Sequence, residues 1–302
     1  MKPEAVPYDK AHDQATATSK LGDVLALAKP RLNSLVVLTS AGGYYMAGPS
    51  SLDPVAIGLA SAGTALVAAG AAAINQVDER DLDRLMERTR QRPMADGRMS
   101  VTQGRGVAAA FAAVGLATLW LGANPVAALV ALATLLIYAF VYTPLKRRTS
   151  LSTIVGAVPG ALPPLVGWAA AQGTLAGAEP WTLFALMFVW QLPHFLAIAW
   201  LYRDDYARAG LPMLSVVDRH GRVTGRQAAL WAAMLVPVSL LPFLAGLTTA
   251  VNAVGALVLG VLQLSLAVTF ARHRSLANAR MLFYGSILYL PLLWILMAVA
   301  RR

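Results

Sequence analysis

Residues 75 to 93 read Asn-Gln-Val-Asp-Glu-Arg-Asp-Leu-Asp-Arg-Leu-Met-Glu-Arg-Thr-Arg-Gln-Arg-Pro, directly after an uncharged apolar run from Ala56 to Ile74. Asp78, Glu79, Asp81, Asp83 and Glu87 are interleaved there with Arg80, Arg84, Arg88, Arg90 and Arg92. If the helix continues through this stretch, Asn75, Glu79 and Asp83 recur at every fourth position. At about 100° per residue they drift only about 80° in total and line one face, whereas Asp81 points largely away. Carboxylates gathered on one face repel each other unless a cation lies between them. Such oxygen ligands suit Mg²⁺, which takes one or two carboxylates, several waters and substrate phosphates. The chemistry on offer is a Mg²⁺–diphosphate site at a helix end. The plain alternative is a solvated loop whose charges pair off at the surface.

A second polar group interrupts the apolar stretch Trp190-Gln-Leu-Pro-His-Phe-Leu-Ala-Ile-Ala-Trp200, where Gln191 and His194 flank a proline expected to kink the helix. Asp204 and Asp205 follow, beside Tyr202, Arg203 and Arg208. Two acidic clusters in equivalent places are expected to face each other and clamp a diphosphate through two metal ions. Lys146, Arg147 and Arg148 would add direct cationic contacts to the same phosphates. His194 is either hydrogen-bonded glue between helices or a functional group that ligates haem iron or moves a proton. The second role is put first, because ionisable residues inside membranes mark functional sites.

These residues need a scaffold that is mostly apolar. The chain has 302 residues, 57% hydrophobic and 13% charged, which points to an all-α polytopic membrane protein. It has no cysteine, which excludes disulfides and thiolate chemistry. Nine segments are each long enough to cross at about 20 residues. They are Leu25–Met46, Pro54–Ile74, Gly106–Leu121, Pro125–Tyr142, Leu151–Ala170, Trp181–Tyr202, Ala228–Leu247, Val251–Phe270 and Ala277–Ala300. The expected architecture is one bundle over residues 22–302, with a central cavity open toward the cytoplasmic face. Residues 1–21 are expected to form a disordered cytoplasmic tail with no cleavable signal peptide. Asp53-Pro54 and Asn124-Pro125 read as capped helix starts, and Ser100 with Gln103 as a capping box.

The net charge of +10 is concentrated in the N-terminal region and in alternate loops, while the opposite loops carry almost none. The excess of Lys and Arg places the N-terminus and the chemistry-bearing loops in the cytoplasm and the C-terminus outside. Basicity is therefore an orientation signal first and a phosphate attractor second, and nucleic acid is not an expected partner. The spans hold no charged side chain at mid-membrane, which favours an interfacial enzyme acting on a lipid-soluble substrate over a transporter.

Asn75-xxx-Glu79-x-Asp81-x-Asp83 followed by Met86-x-Arg88-Thr89-x-x-Arg92-Pro93 resembles the first motif of the intramembrane aromatic (UbiA-type) prenyltransferases, and more narrowly their haem O synthase branch. Trp190-Gln191-x-Pro193-His194-Phe195 and Asp204-Asp205-Tyr206-x-x-Ala209-Gly210-x-Pro212-Met213-Leu214 resemble the second motif in that branch's form. Tyr142-Thr143-x-Leu145-Lys146-Arg147, Gly160-Ala161-x-Pro163-Pro164-x-x-Gly167-Trp168 and the last span, Arg280-x-Leu282-Phe283-x-x-Ser286-x-x-Tyr289, are also similar. The resemblance runs from about Lys29 to the C-terminus. It implies Mg²⁺ as cofactor and farnesyl diphosphate and haem B as substrates. Asn75, Glu79, Asp83, Asp204 and Asp205 would be metal-binding and catalytic. Lys146, Arg147, Arg88 and Arg92 would bind diphosphate, and His194, Gln191 and Trp190 would face the haem. It further implies a prokaryotic inner membrane and product delivery to haem A synthase or oxidase assembly. The same fold would also serve a quinone-precursor or chlorophyll-type acceptor. The chain departs from the wider superfamily at Gln76 and Glu79, where Asp is usual, and from the branch at Ser152, where Asn is common. Glu79 still ligates Mg²⁺ but reaches a methylene farther.

Overall fold

The computed structural model describes residues 19–48 and 53–302, so the expected tail lies, up to Thr18, outside the described residues. Helix α1 (Lys20–Ala28) precedes α2 (Pro30–Met46), α3 (Pro54–Asp78), the single turn α4 (Arg80–Asp83) and α5 (Val101–Gly122). Next come α6 (Pro125–Leu136), a π-helical turn (Ile137–Tyr142), α7 (Thr143–Leu145), α8 (Ser152–Ala161), α9 (Pro163–Gln172) and α10 (Glu179–Leu201). The rest is α11 (Arg203–Arg208), α12 (Leu214–Val217), α13 (Arg222–Val238), α14 (Leu241–Leu244), α15 (Ala250–His273) and α16 (Leu276–Val299). Among the described residues the fold is all-helical, apart from one isolated bridge between Thr248 and Arg301. Among the described residues, eight helical segments are long and apolar enough to cross a membrane, and α2, at 17 residues, falls just short of that length. The protein is a multi-pass membrane protein.

The helix starts follow local chemistry. Asp53 caps α3 by accepting from the Val55 amide at 2.8 Å, with Pro54 in the first turn. Asn124 accepts from the Ala127 amide at 3.0 Å and donates across to the Ala169 carbonyl at 2.7 Å, so one residue caps α6 and ties it to α9. Both halves of the Ser100–Gln103 capping box are present.

Several expected spans differ in detail. The first is broken at Lys29, which adopts a left-handed backbone (φ 47°) before Pro30 opens α2. The fifth divides at Leu162, because Pro163 and Pro164 begin α9. The sixth runs through Pro193 as one helix.

Helices pack closely where small residues let backbones meet, the usual device in a bilayer. α2 lies along α9, and a Cβ built on Gly167 would collide with the Ser40 carbonyl, as one on Gly43 would with the Pro164 carbonyl. Gly167→Ala should therefore force α2 and α9 apart and lower stability by about 1–3 kcal/mol. Thermal unfolding in detergent measures this, and an unchanged midpoint would contradict the close crossing.

Candidate active site

α3 ends at Asp78, and Glu79 (φ −95°, ψ 5°) is the hinge into α4. The break is small, because the Glu79 amide still bonds the Asn75 carbonyl (2.9 Å) and the Asp83 amide the Glu79 carbonyl (2.8 Å). Asn75, Glu79 and Asp83 thus remain successive rungs of one ladder, as their spacing suggests. All three are buried, at 4%, 2% and 0% exposure. Asp81 lies on the opposite side at 65% side-chain exposure and pairs with Arg80 and Arg84, so the plain surface reading is correct for that residue.

Buried carboxylates need compensation. Lys146 Nζ donates to both oxygens of Glu79, each at 3.0 Å. Arg92 Nη1 donates to both oxygens of Asp83, at 3.0 and 2.8 Å. The π-helical turn Ile137–Tyr142 ahead of Lys146 carries an extra residue that rotates the chain beyond it. Its Tyr138 carbonyl accepts from both the Thr143 amide and Thr143 Oγ1, the latter at 2.9 Å. The loop that brings Arg92 back to Asp83 is held by Thr89 Oγ1 on the Asp83 carbonyl (3.0 Å) and by Arg84 on the Ala95 carbonyl (2.6 Å), with Met86 and Met94 buried beneath. Burial alone would lower the Lys146 ammonium. The Tyr142 hydroxyl and the Glu79 carboxylate outweigh it and hold the group above the ordinary lysine value.

The second acidic cluster docks against this loop through one of its two aspartates. Asp205 is buried, accepts from the Glu87 amide at 3.3 Å and pairs with Arg208. Arg88 crosses in the other direction and lies over the Tyr202 ring at 4.9 Å. Asp204 has 85% of its side chain exposed beside Arg203, away from Asp205. Neighbours on a helix point about 100° apart, so the turn that buries Asp205 turns Asp204 out. Arg147 reaches the Asp78 carbonyl rather than a carboxylate.

Among the described residues no three carboxylates or histidines converge as a preformed metal cage. Each buried carboxylate of the ladder is instead held by a basic residue, as mutual repulsion requires when no other cation is between them. The donor set nevertheless fits a hard divalent ion. The carboxylates of Glu79 and Asp83 and the amide oxygen of Asn75 are hard oxygen donors, while the buried Asn75 Nδ2, which has no hydrogen-bond partner, leaves a donor free for a phosphate oxygen.

The acceptor candidates divide. Gln191 Nε2 donates to the carbonyls of Ala157 (2.9 Å) and Met187 (3.0 Å), which stitches α10 to α8 and leaves no amide proton for a substrate. Trp190 and His194 stack on each other at 5.3 Å and face α16.

Lys29, in sequence only one of the orientation charges, lies between α1 and α2 within electrostatic reach of Arg92, Glu79 and Asp83. Gln76 holds that turn in place, donating to the carbonyls of Leu27 (2.9 Å) and Ala26 (3.3 Å). Aspartate, usual at that position, has no proton to donate in its ionised form. The signal in the sequence is the Lys-Pro pair at the head of the first span together with the amide beside Asn75.

Residues 35–296 match the UbiA prenyltransferase family. The chain is 43% identical over 288 residues to the protoheme IX farnesyltransferase of Solibacter usitatus, across 92% of this chain and 98% of that protein. It is 45% identical over 283 residues to the protoheme IX farnesyltransferase of Anaeromyxobacter sp. strain Fw109-5, across 93% and 94%. The fold is similar to a digeranylgeranylglyceryl phosphate synthase, with a TM-score of 0.77 at 15% identity over 93% of this chain and 98% of that one. It is also similar to a UbiA homolog from Archaeoglobus fulgidus bound to GPP and Mg²⁺, with a TM-score of 0.65 at 18% identity over 91% and 99%.

Proposed function

The chain belongs to the UbiA prenyltransferase family, and from that premise we propose the chemistry of its site. It transfers the farnesyl group of farnesyl diphosphate to a vinyl group of haem B, with addition of water, giving haem O and diphosphate. The relatives named protoheme IX farnesyltransferase support this acceptor over a quinone precursor. The observation that carries the chemistry is the buried Asn75–Glu79–Asp83 ladder with a cation already on each carboxylate.

Glu79 and Asp83 are almost fully buried, so a diphosphate reaches this region as Lys146 and Arg92 exchange carboxylate contacts for phosphate oxygens. Arg88 and Arg147 lie on the same edge and add charge. Asn75, Glu79 and Asp83, with Asp205 and, after rotation, Asp204 on the other side, would hold Mg²⁺. When bound, Mg²⁺ neutralises the charge that builds on the leaving group. The C1–O bond then breaks with its electron pair going to diphosphate and leaves an allylic cation. Apolar helix walls keep water from capturing that cation early. The vinyl π electrons form the new C–C bond, and water adds to the resulting cation and loses a proton. The Lys and Arg excess supports a cytoplasmic position for this edge and the N-terminus, with the C-terminus outside, in a prokaryotic inner membrane. The apolar product fits transfer within the bilayer to haem A synthase or oxidase assembly.

Purified protein in detergent with farnesyl diphosphate and Mg²⁺, with and without haem B, tests this. Diphosphate release should require haem B and yield a porphyrin heavier by one farnesyl group and one hydroxyl group. Haem-independent turnover on a quinone-type acceptor would overturn the acceptor assignment.

A further inference from the structure

Trp190 and His194, one turn apart on α10, are both held by a single residue of α16. Trp190 Nε1 donates to the Ser286 carbonyl at 2.9 Å, and His194 Nδ1 lies 2.7 Å from Ser286 Oγ. That hydroxyl has one proton, and Ser286 Oγ donates it to the Phe283 carbonyl at 2.6 Å. At the His194 contact Oγ must therefore accept, and the proton there belongs to Nδ1. Nε2 is left with its lone pair and with no protein partner among the described residues. The rings of Trp190 (5.3 Å, 21°) and Phe283 (5.1 Å, 27°) stack on the imidazole, so the part of the half-buried ring left for a ligand is its Nε2 edge.

We propose that Ser286 is a positioning residue that locks His194 in the Nδ1–H tautomer, so that Nε2 ligates the iron of the porphyrin acceptor. The proposal rests on the reading of an iron porphyrin as acceptor. A neutral imidazole whose second nitrogen donates to an oxygen is oriented and made a better donor to a metal. The same hydrogen bonds, anchored on a fully buried serine, fix where the macrocycle sits relative to α10 and α16. That decides how its vinyl edge meets the cation.

Four histidines make ¹⁵N-histidine labelling in nanodiscs tractable, with His194→Ala assigning the signal. Without haem, His194 should show the pure Nδ1–H pattern. Ser286→Ala should move it toward the Nε2–H form that free imidazole prefers, and Ser286→Thr should restore it. On adding haem B, the wild type should give an imidazole-ligated absorption spectrum that His194→Ala lacks. Ser286→Ala should bind haem B roughly 10–100-fold more weakly. An Nε2–H wild type overturns the proposal, as does a haem spectrum unchanged in His194→Ala while farnesyl transfer continues. Those results leave the proposed function standing. A wild type that neither binds nor farnesylates haem B removes both. If Ser286→Ala does not fold, the wild-type tautomer and the threonine variant decide.

Discussion

Asp83→Asn should lower farnesyl transfer by on the order of 10²–10³ while the protein stays folded. The carboxylate is fully buried and bonded through both oxygens to Arg92. Asparagine keeps the shape and one acceptor for that arginine. Arg92 retains 23% side-chain exposure, so water replaces the lost partner and the structural cost is modest. What disappears is the negative charge that would help hold a divalent ion against the diphosphate. Single-turnover release from farnesyl diphosphate in the presence of haem B, run beside thermal unfolding, separates the two effects. Wild-type turnover would remove Asp83 from the catalytic centre.

Lys146→Met should be costly to stability as well as to turnover. It strips the partner from Glu79, a carboxylate with 2% exposure, and an unpaired buried charge of this kind costs about 3–5 kcal/mol. Adding Glu79→Gln removes the orphaned charge and should restore most of the stability. Transfer should stay lost in the double variant, because it lacks both the cation aimed at the diphosphate and the Glu79 carboxylate assigned to Mg²⁺. Unfolding midpoints and diphosphate release for both singles and the double give the answer. If the double variant regains transfer, Lys146 serves only to neutralise Glu79, and Glu79 is not a metal ligand.

Much of this was legible in the chain because it depends on local rules. Apolar length marks the spans, Asp53, Ser100 and Asn124 mark helix starts, and a four-residue recurrence puts Asn75, Glu79 and Asp83 on one face. Hydropathy and helical periodicity act within a segment, so one segment suffices to read them.

Other features depend on how helices rotate against one another, which no single segment encodes. Asp204 and Asp205 are adjacent and chemically identical, yet packing of α11 against the 84–99 loop buries the second and exposes the first. Gln191 and His194 share a helix, but α8 takes the first and α16 the second. The turn that carries Lys29 is held beside α3 because Gln76 ties α1 to α3 across 49 positions. The sequence by itself determined the apolar spans, the capped starts and the acidic ladder. Tertiary structure decided which cation meets each carboxylate, which aspartate faces inward and which nitrogen of His194 is left free. Those outcomes are set by side-chain contacts between distant segments, where a rotation of one residue exchanges a buried partner for solvent or lipid.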